Sequence, residues 1–301
     1  MVCIDNLSTG KRRNIAHLQG HTAFSFFDAD ICAPVPWSGK ADYLFHLASP
    51  ASPVAYLQMP LQTAMTNALG TYNVLELARS QGAHFLIAST SEVYGDPLIH
   101  PQDEGYWGNV NPTGPRSPYD EGKRFAEMLT MSYYRQYDLD ARIVRIFNTY
   151  GPRCDPNDGR MVPNFIRQAL TAAPITVYGD GNQTRSICYV DDLVQGLLLA
   201  MFSPASRGEV FNLGNPEEHK VIEYAQLIRE ICGSSSEIRL CPARVDDPYR
   251  RCPDITKARK YLGWEPSISL RAGLEATVGW VREQLFPGRP STLSADRKDV
   301  R

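Results

Sequence analysis

Several features that would point to a metal, a membrane or a nucleic acid are missing from this chain. Its seven cysteines (3, 32, 154, 188, 232, 241 and 252) contain no Cys-x-x-Cys pair, and its six histidines are scattered. No metal site is therefore expected. An odd set of dispersed thiols also argues against a disulfide framework and for a reducing compartment. Charge of one sign is lacking too: 31 basic against 33 acidic side chains leave a net charge of −2. That is too little for the field by which proteins hold nucleic acid or anionic lipid. No apolar run reaches membrane-spanning length and the first residues carry no signal-peptide core, so no membrane contact is expected from this chain. Internal repeats and low-complexity blocks are also absent.

Alternation is what the chain does have. Apolar runs at 42–48, 84–89 and 141–147 end in polar residues, while 63–80 and 118–136 carry apolar side chains at helical spacing. Strand-helix alternation predicts an α/β fold, a doubly wound parallel sheet covered on both faces. Ligands of such sheets sit at the carboxyl ends of the strands. Further helices are predicted over 162–172, 190–202, 221–232, 255–262 and 270–285, separated by Gly- and Pro-containing turns. The expected division is a main domain over 1–160, to which later segments return, and a smaller mixed domain over 161–286. Residues 287–301 are expected to form a disordered tail, because Pro, Gly, Ser and charge replace apolar residues there.

The helical run at 118–136 holds Tyr119 and Lys123 four residues apart, one turn, so they share a face. An ammonium beside a phenol favours the phenolate, which makes Tyr119 a candidate base for a sugar hydroxyl. Two unrelated surface residues would show the same spacing. Val2, Cys3 and Ile4 followed by Asp5 read as a strand end, where a carboxylate suits the adenosine ribose of NAD. The Gly-rich turn expected roughly 20 residues earlier would fall before Met1, and no Gly-x-x-Gly-x-x-Gly spacing occurs. Either the chain is truncated at its N-terminus or it has lost its pyrophosphate loop. The loop from His46 to Pro53 is small and Pro-stiffened, as a ligand-approach loop or an ordinary turn would be. Thr90, Ser91 and Glu92 end the run at 84–89; they could converge on a substrate or cap a helix.

The strings HLASPASP, STSEVYGDP, HPQ-x-E-x-YWG-x-VNP, YDEGKR, RIFNTYGPR, GDG-x-QTR, NLGNPEE, DDP-x-x-R-x-PDI and LGWEP together resemble the UDP-glucuronate decarboxylases (UDP-xylose synthases), extended short-chain dehydrogenases/reductases. The resemblance spans about residues 5 to 286. It implies a Rossmann-like fold with a smaller substrate domain, the N-terminal strand and glycine loop being missing here, with NAD as cofactor and UDP-glucuronate as substrate. Tyr119 would take the C4 proton and Lys123 would lower its pKa, while Thr90 holds the C4 oxygen. Ser91 and Glu92 would orient the carboxylate, and Arg251 would position it or supply the C5 proton. Alongside Tyr119 and Lys123, the resemblance places Asp5, Asn6, Thr9, Gly10, Asp30, Ile31, Leu47, Ser49, Thr66 and Ala88 at the cofactor. Asn148, Arg160, Asn164 and Arg185 would meet the sugar nucleotide. It further implies a homodimer, for which Phe125, Met128, Leu129 and Tyr133 on the Tyr119 helix could supply the face, although core packing explains these four equally well.

Besides the missing glycine loop there are two departures. Met65 stands where relatives carry a lysine, and Pro118 replaces a residue just before Tyr119, where a helix tolerates proline. Two other functions compete. A 4-epimerase or 4,6-dehydratase would share the fold, but a dehydratase needs an acid where Ser91 stands. A truncated, inactive chain would only bind sugar nucleotide or pair with a full-length partner. A cytoplasmic location is expected, with the Golgi lumen as the alternative if a membrane anchor preceded Met1.

Overall fold

The computed structural model describes residues 1–243 and 249–288. Asp246, Asp247 and Pro248 of the resemblance, and the tail expected beyond residue 288, lie outside the described residues. The chain starts with β1 (Val2–Asp5), β2 (Ser25–Asp28) and β3 (Tyr43–His46), then runs through α1 (Pro53–Gln58), α2 (Pro60–Met65) and α3 (Thr71–Gln81). Next come β4 (His84–Thr90), α4 (Ser117–Tyr137), β5 (Ala141–Ile146), β6 (Thr149–Tyr150), α5 (Met161–Leu170) and β7 (Ile175–Tyr178). They are followed by β8 (Thr184–Ser186), β9 (Cys188–Tyr189), α6 (Val190–Phe202), β10 (Val210–Leu213) and β11 (Glu218–Lys220). The last described elements are α7 (Val221–Ile231), β12 (Ile238–Cys241), α8 (Thr256–Leu262) and α9 (Leu270–Leu285).

The parallel α/β sheet that the alternation predicts is present, and the fold is Rossmann-like, as the resemblance implies. Four parallel strands lie in the order β10-β5-β4-β3, and β1 pairs with β2 in a separate parallel pair. Central β4 is buried along nearly its whole length, and Phe85, Leu86, Ile87, Ile143 and Val144 are fully excluded from water. Burying each such side chain stabilises the sheet by roughly 1.5–3 kcal/mol. One face packs on α3 and α4; the other packs on α6 and α8, where Trp264 fills the layer and donates its indole N–H to the Asp192 carbonyl at 2.8 Å. A second core gathers Phe165, Ile166, Ile175, Val177, Tyr224 and Val278 from α5, β7, α7 and α9.

One predicted element changes character. The helix expected over 63–80 is interrupted by a π turn at Thr66–Gly70, between α2 and α3. Gly70 lets Ile31 lie against the helix, for a Cβ there would meet Ile31 Cδ1 at 2.7 Å. Helix α4 behaves as expected: Pro118 sits in its first turn, and buried Tyr119, Lys123, Ala126, Thr130 and Tyr133 trace one stripe along it. That stripe divides the four residues between the two readings, core and outer face. Tyr133 points inward to bond Glu76 at 2.6 Å and Leu129 packs on the core, leaving Phe125 and Met128 outside with Leu61 and Met65 of α2.

Candidate active site

Two pieces of local structure bring the chemistry together. Strand β4 ends at Thr90, whose side-chain oxygen accepts from the Glu92 N–H at 3.2 Å and starts a single 3₁₀ turn through Tyr94. Gly95 ends that turn at φ 63°, where a Cβ would meet the Asn109 carbonyl oxygen at 2.1 Å, so only glycine fits. The first two turns of α4 then present Tyr119 and Lys123 to the β4 end.

These groups line a cavity of about 470 Å³ at the carboxyl edge of the sheet, within the range of small-molecule sites. All six expected catalytic residues, Tyr119, Lys123, Thr90, Ser91, Glu92 and Arg251, face it. Asn148, Arg160, Asn164 and Arg185 do as well, with Leu47, Ser49 and Ala88. Asp5, Asn6, Thr9, Gly10, Asp30, Ile31 and Thr66 do not line it. Asp5 closes β1 and accepts from the Leu7 N–H at 2.6 Å, and Asn6 donates to Asp30 at 3.1 Å. Thr66 sits in the π turn with Cys32 at 4.0 Å, and Ile31 is buried under Gly70.

The Tyr119 phenol and the Lys123 ammonium are both buried. The phenol pKa is pushed up to about 12, chiefly by burial; a hydrogen bond with Thr90 opposes this and the Glu92 charge adds to it. Burial outweighs the pull expected of a neighbouring lysine; Lys123 donates to the Ala88 carbonyl at 2.8 Å and its ammonium lies 6.0 Å from the phenol ring centroid. Burial also pulls the Lys123 pKa down to about 8, with Glu127 opposing.

Opposite stands a buried charge cluster. Arg251 grips Glu92 through both terminal nitrogens, at 2.5 and 2.9 Å, and Arg116 adds a third bond at 2.6 Å. Burial pushes the Glu92 pKa up, but the two guanidiniums outweigh it and hold the carboxyl below its ordinary value. Asp120 goes the other way: burial and the Glu92 charge raise its pKa, and its Oδ1 has no partner. The Arg251 Nε is likewise buried without a partner. Elsewhere along the cavity, buried Arg185 donates to the Thr184 carbonyl at 2.7 Å, and Arg160 pairs with Asp158 at 2.5 Å.

Among the lining residues that the sequence did not single out, Tyr56 and Arg116 stand beside the reactive groups. Tyr56 of α1 stacks on Tyr119 with ring centroids 5.0 Å apart and planes 6° off parallel, a contact no local spacing announces. Arg116 immediately precedes α4, three residues before Tyr119, and that proximity was a usable signal. Among the described residues, His100, Glu218 and Cys252 cluster within 4.8 Å of one another, but Arg250 also reaches Glu218 at 3.4 Å; a cation there disfavours a metal.

Residues 1–214 match the family model described as the NAD dependent epimerase/dehydratase family. UDP-glucuronic acid decarboxylase 1 of Xenopus tropicalis is 50% identical over 282 residues, covering 94% of this chain and 66% of the frog protein. The chain thus spans just under two thirds of that relative's length. The UDP-glucose 4-epimerase of Thermotoga maritima, solved with UDP-glucose, superposes with a TM-score of 0.85 at 32% identity, over 94% of this chain and 91% of that one. The UDP-glucuronic acid 4-epimerase of Bacillus cereus, solved with UDP-glucuronic acid and NAD, gives 0.83 at 28% identity, over 95% and 91%.

Proposed function

This chain belongs to the NAD dependent epimerase/dehydratase family, and on that premise we propose that it decarboxylates UDP-glucuronate to UDP-xylose through a transient 4-keto sugar. One observation carries the reading. A tyrosine-lysine-threonine set able to work at a sugar hydroxyl faces the same cavity as a buried arginine, Arg251, whose charge suits a carboxylate. The 50% identity to the frog decarboxylase supports the same conclusion.

The donor set fits the two ribose ends of a dinucleotide. Asp5, which closes β1, is assigned to the ribose hydroxyls as their acceptor, and Lys123 with Tyr119 to the nicotinamide end; the sequence holds no Gly-x-x-Gly-x-x-Gly turn for the pyrophosphate. When bound, NAD supplies the acceptor and later the donor of the C4 hydride. Thr90, which lines the cavity and hydrogen-bonds with Tyr119, is assigned to the C4 oxygen. Tyr119 takes the C4 proton. The resulting ketone makes the C5 carboxylate a β-keto acid, so carbon dioxide leaves with its bonding electrons delocalised onto the C4 oxygen. A proton then reaches C5 from the Arg251 side through water, and Tyr119 returns its proton to the C4 oxygen. In this reading the core around α5, β7, α7 and α9 belongs to the sugar-nucleotide unit, with Asn148, Arg160, Asn164 and Arg185 at the nucleotide. Ser91 replaces the acid that loss of a C6 hydroxyl requires. Asp120, although biased toward its protonated form, does not line the cavity.

The outer faces of α2 and α4, with Leu61 81% and Met128 50% exposed, suit a second copy of this chain. Leu61→Glu should leave a species of monomer mass in light scattering; an unchanged dimer mass would remove that face. Incubating the chain with UDP-glucuronate and NAD⁺ and weighing the nucleotide product tests the chemistry. Loss of 44 Da, the mass of carbon dioxide, is expected; an unchanged mass with altered retention would make it a 4-epimerase.

A further inference from the structure

We propose that Gln102 is the positioning residue that fixes Arg251 for carboxylate recognition. The inference rests on the decarboxylase reading and deepens it. Gln102 is fully buried, outside the cavity lining, and packed against the segment that carries Arg251.

Every polar group of Gln102 is used. Its N–H donates to the Cys252 carbonyl at 2.9 Å, and its own carbonyl accepts from the Asp254 N–H at 2.8 Å. Its Oε1 accepts from the Cys252 N–H at 3.0 Å, and its Nε2 donates to the Ile99 carbonyl at 2.7 Å. On the other flank, the Ser186 N–H and hydroxyl donate to the Arg251 carbonyl at 3.3 and 3.0 Å. Arg251 is therefore clamped through its backbone from two sides, while its guanidinium reaches away to Glu92. A fork at the end of a long side chain meets a carboxylate in good geometry only if its backbone origin is held.

The clamp is also tied to the redox half of the site. The Asn212 Nδ2 donates to the Gln102 carbonyl at 3.0 Å, and the Asn212 Oδ1 accepts from the Tyr94 hydroxyl at 2.8 Å. Arg145 donates to the Tyr94 oxygen at 2.9 Å and pairs with Glu127 at 2.8 Å; Glu127 accepts from Ser89 at 2.5 Å. Ser89 precedes Thr90 and Glu127 lies one turn beyond Lys123. One buried polar chain thus runs from the Arg251 segment to the Tyr119 helix.

Isothermal titration of the unaltered chain, Gln102→Met and Ser186→Ala with UDP-glucuronate and UDP-glucose tests this without requiring turnover. Met has a similar volume but no acceptor for the Cys252 N–H. The preference for the carboxylate-bearing sugar should fall about tenfold in Gln102→Met, the scale of one charge-assisted hydrogen bond, and less in Ser186→Ala. UDP-glucose affinity should stay within about twofold, below any tenfold step. An unchanged preference in both variants overturns the proposal, and so does a parallel loss of both ligands, which would make Gln102 merely structural. Equal affinity of the unaltered chain for the two sugars would instead refute the decarboxylase reading, and this inference with it.

Discussion

Replacing Glu92 by Gln removes one charge from the most heavily paired spot in the cavity while nearly keeping its shape. In the native site three arginine nitrogens reach its two oxygens at 2.5, 2.6 and 2.9 Å, and the partner side chains are only 5% and 13% exposed. Gln keeps one acceptor and turns an N–H₂ toward a guanidinium, so at least one hydrogen bond becomes donor against donor. Leaving buried charges without their counter-charge costs about 3–5 kcal/mol. Asp120 softens the loss, because the Glu92 charge is one cause of its raised pKa; once that charge is gone, Asp120 ionises more readily beside the arginines. The expected cost is therefore near the lower end, about 3 kcal/mol, or roughly 5 °C in a thermal melt at neutral pH. The pH dependence has a definite sign. A carboxyl held below its ordinary value contributes stability above pH 4.5 that is lost as pH falls through the folded pKa. The gap between native chain and variant should therefore close below pH 4.5 in circular-dichroism melts. A shift under 2 °C at pH 7, or a gap that persists undiminished in acid, would refute the reasoning. Glu92→Gln combined with Asp120→Asn should be less stable than either single change.

Tyr119→Phe should abolish carbon dioxide release while UDP-glucuronate affinity in titration calorimetry stays within about threefold, under 1 kcal/mol; retained turnover would remove Tyr119 from its role. His46 is buried against the Thr71 hydroxyl at 2.9 Å, and burial, with the Lys123 charge, lowers its pKa to about 3. The unfolded state takes up that proton first, so stability should fall by about 1.4 kcal/mol per pH unit from 6.5 toward 3. Urea midpoints in His46→Gln should depend less steeply on pH over that range. The Tyr56 hydroxyl is buried with no partner, so Tyr56→Phe should be neutral or stabilising by up to about 1 kcal/mol. Tyr56→Leu, which loses the stack on Tyr119, should cost at least about 0.5–1.5 kcal/mol in denaturant titration.

Local periodicity made the central layer legible. The runs ending at Thr90 and Ile146 are strands whose apolar residues are mostly covered on both faces, the run ending at His46 keeps Tyr43 and Phe45 exposed on one face, and α4 lies where its i, i+4 pattern places it. What escaped depends on partners distant in sequence. Strand β12 exists by pairing with β7, and β11 by pairing with β8; neither run is long or apolar enough to declare itself. The break at Thr66–Gly70 follows from Ile31 pressing on Gly70, a contact across about 40 residues. Leu129 and Tyr133 share a helical stripe with core residues, and only the packing of α4 showed which side faces outward.

The site divides in the same way. Sequence alone determined that Tyr119 and Lys123 share a helix face and that Thr90, Ser91 and Glu92 stand at a strand's carboxyl end, because periods of 3.6 and 2 are properties of the backbone. Tertiary structure alone decided that Arg251 crosses to Glu92, that Tyr56 stacks on Tyr119, and that the phenol's pKa rises. Solvation and long-range charge set those outcomes, and neither is written in the spacing of neighbouring residues.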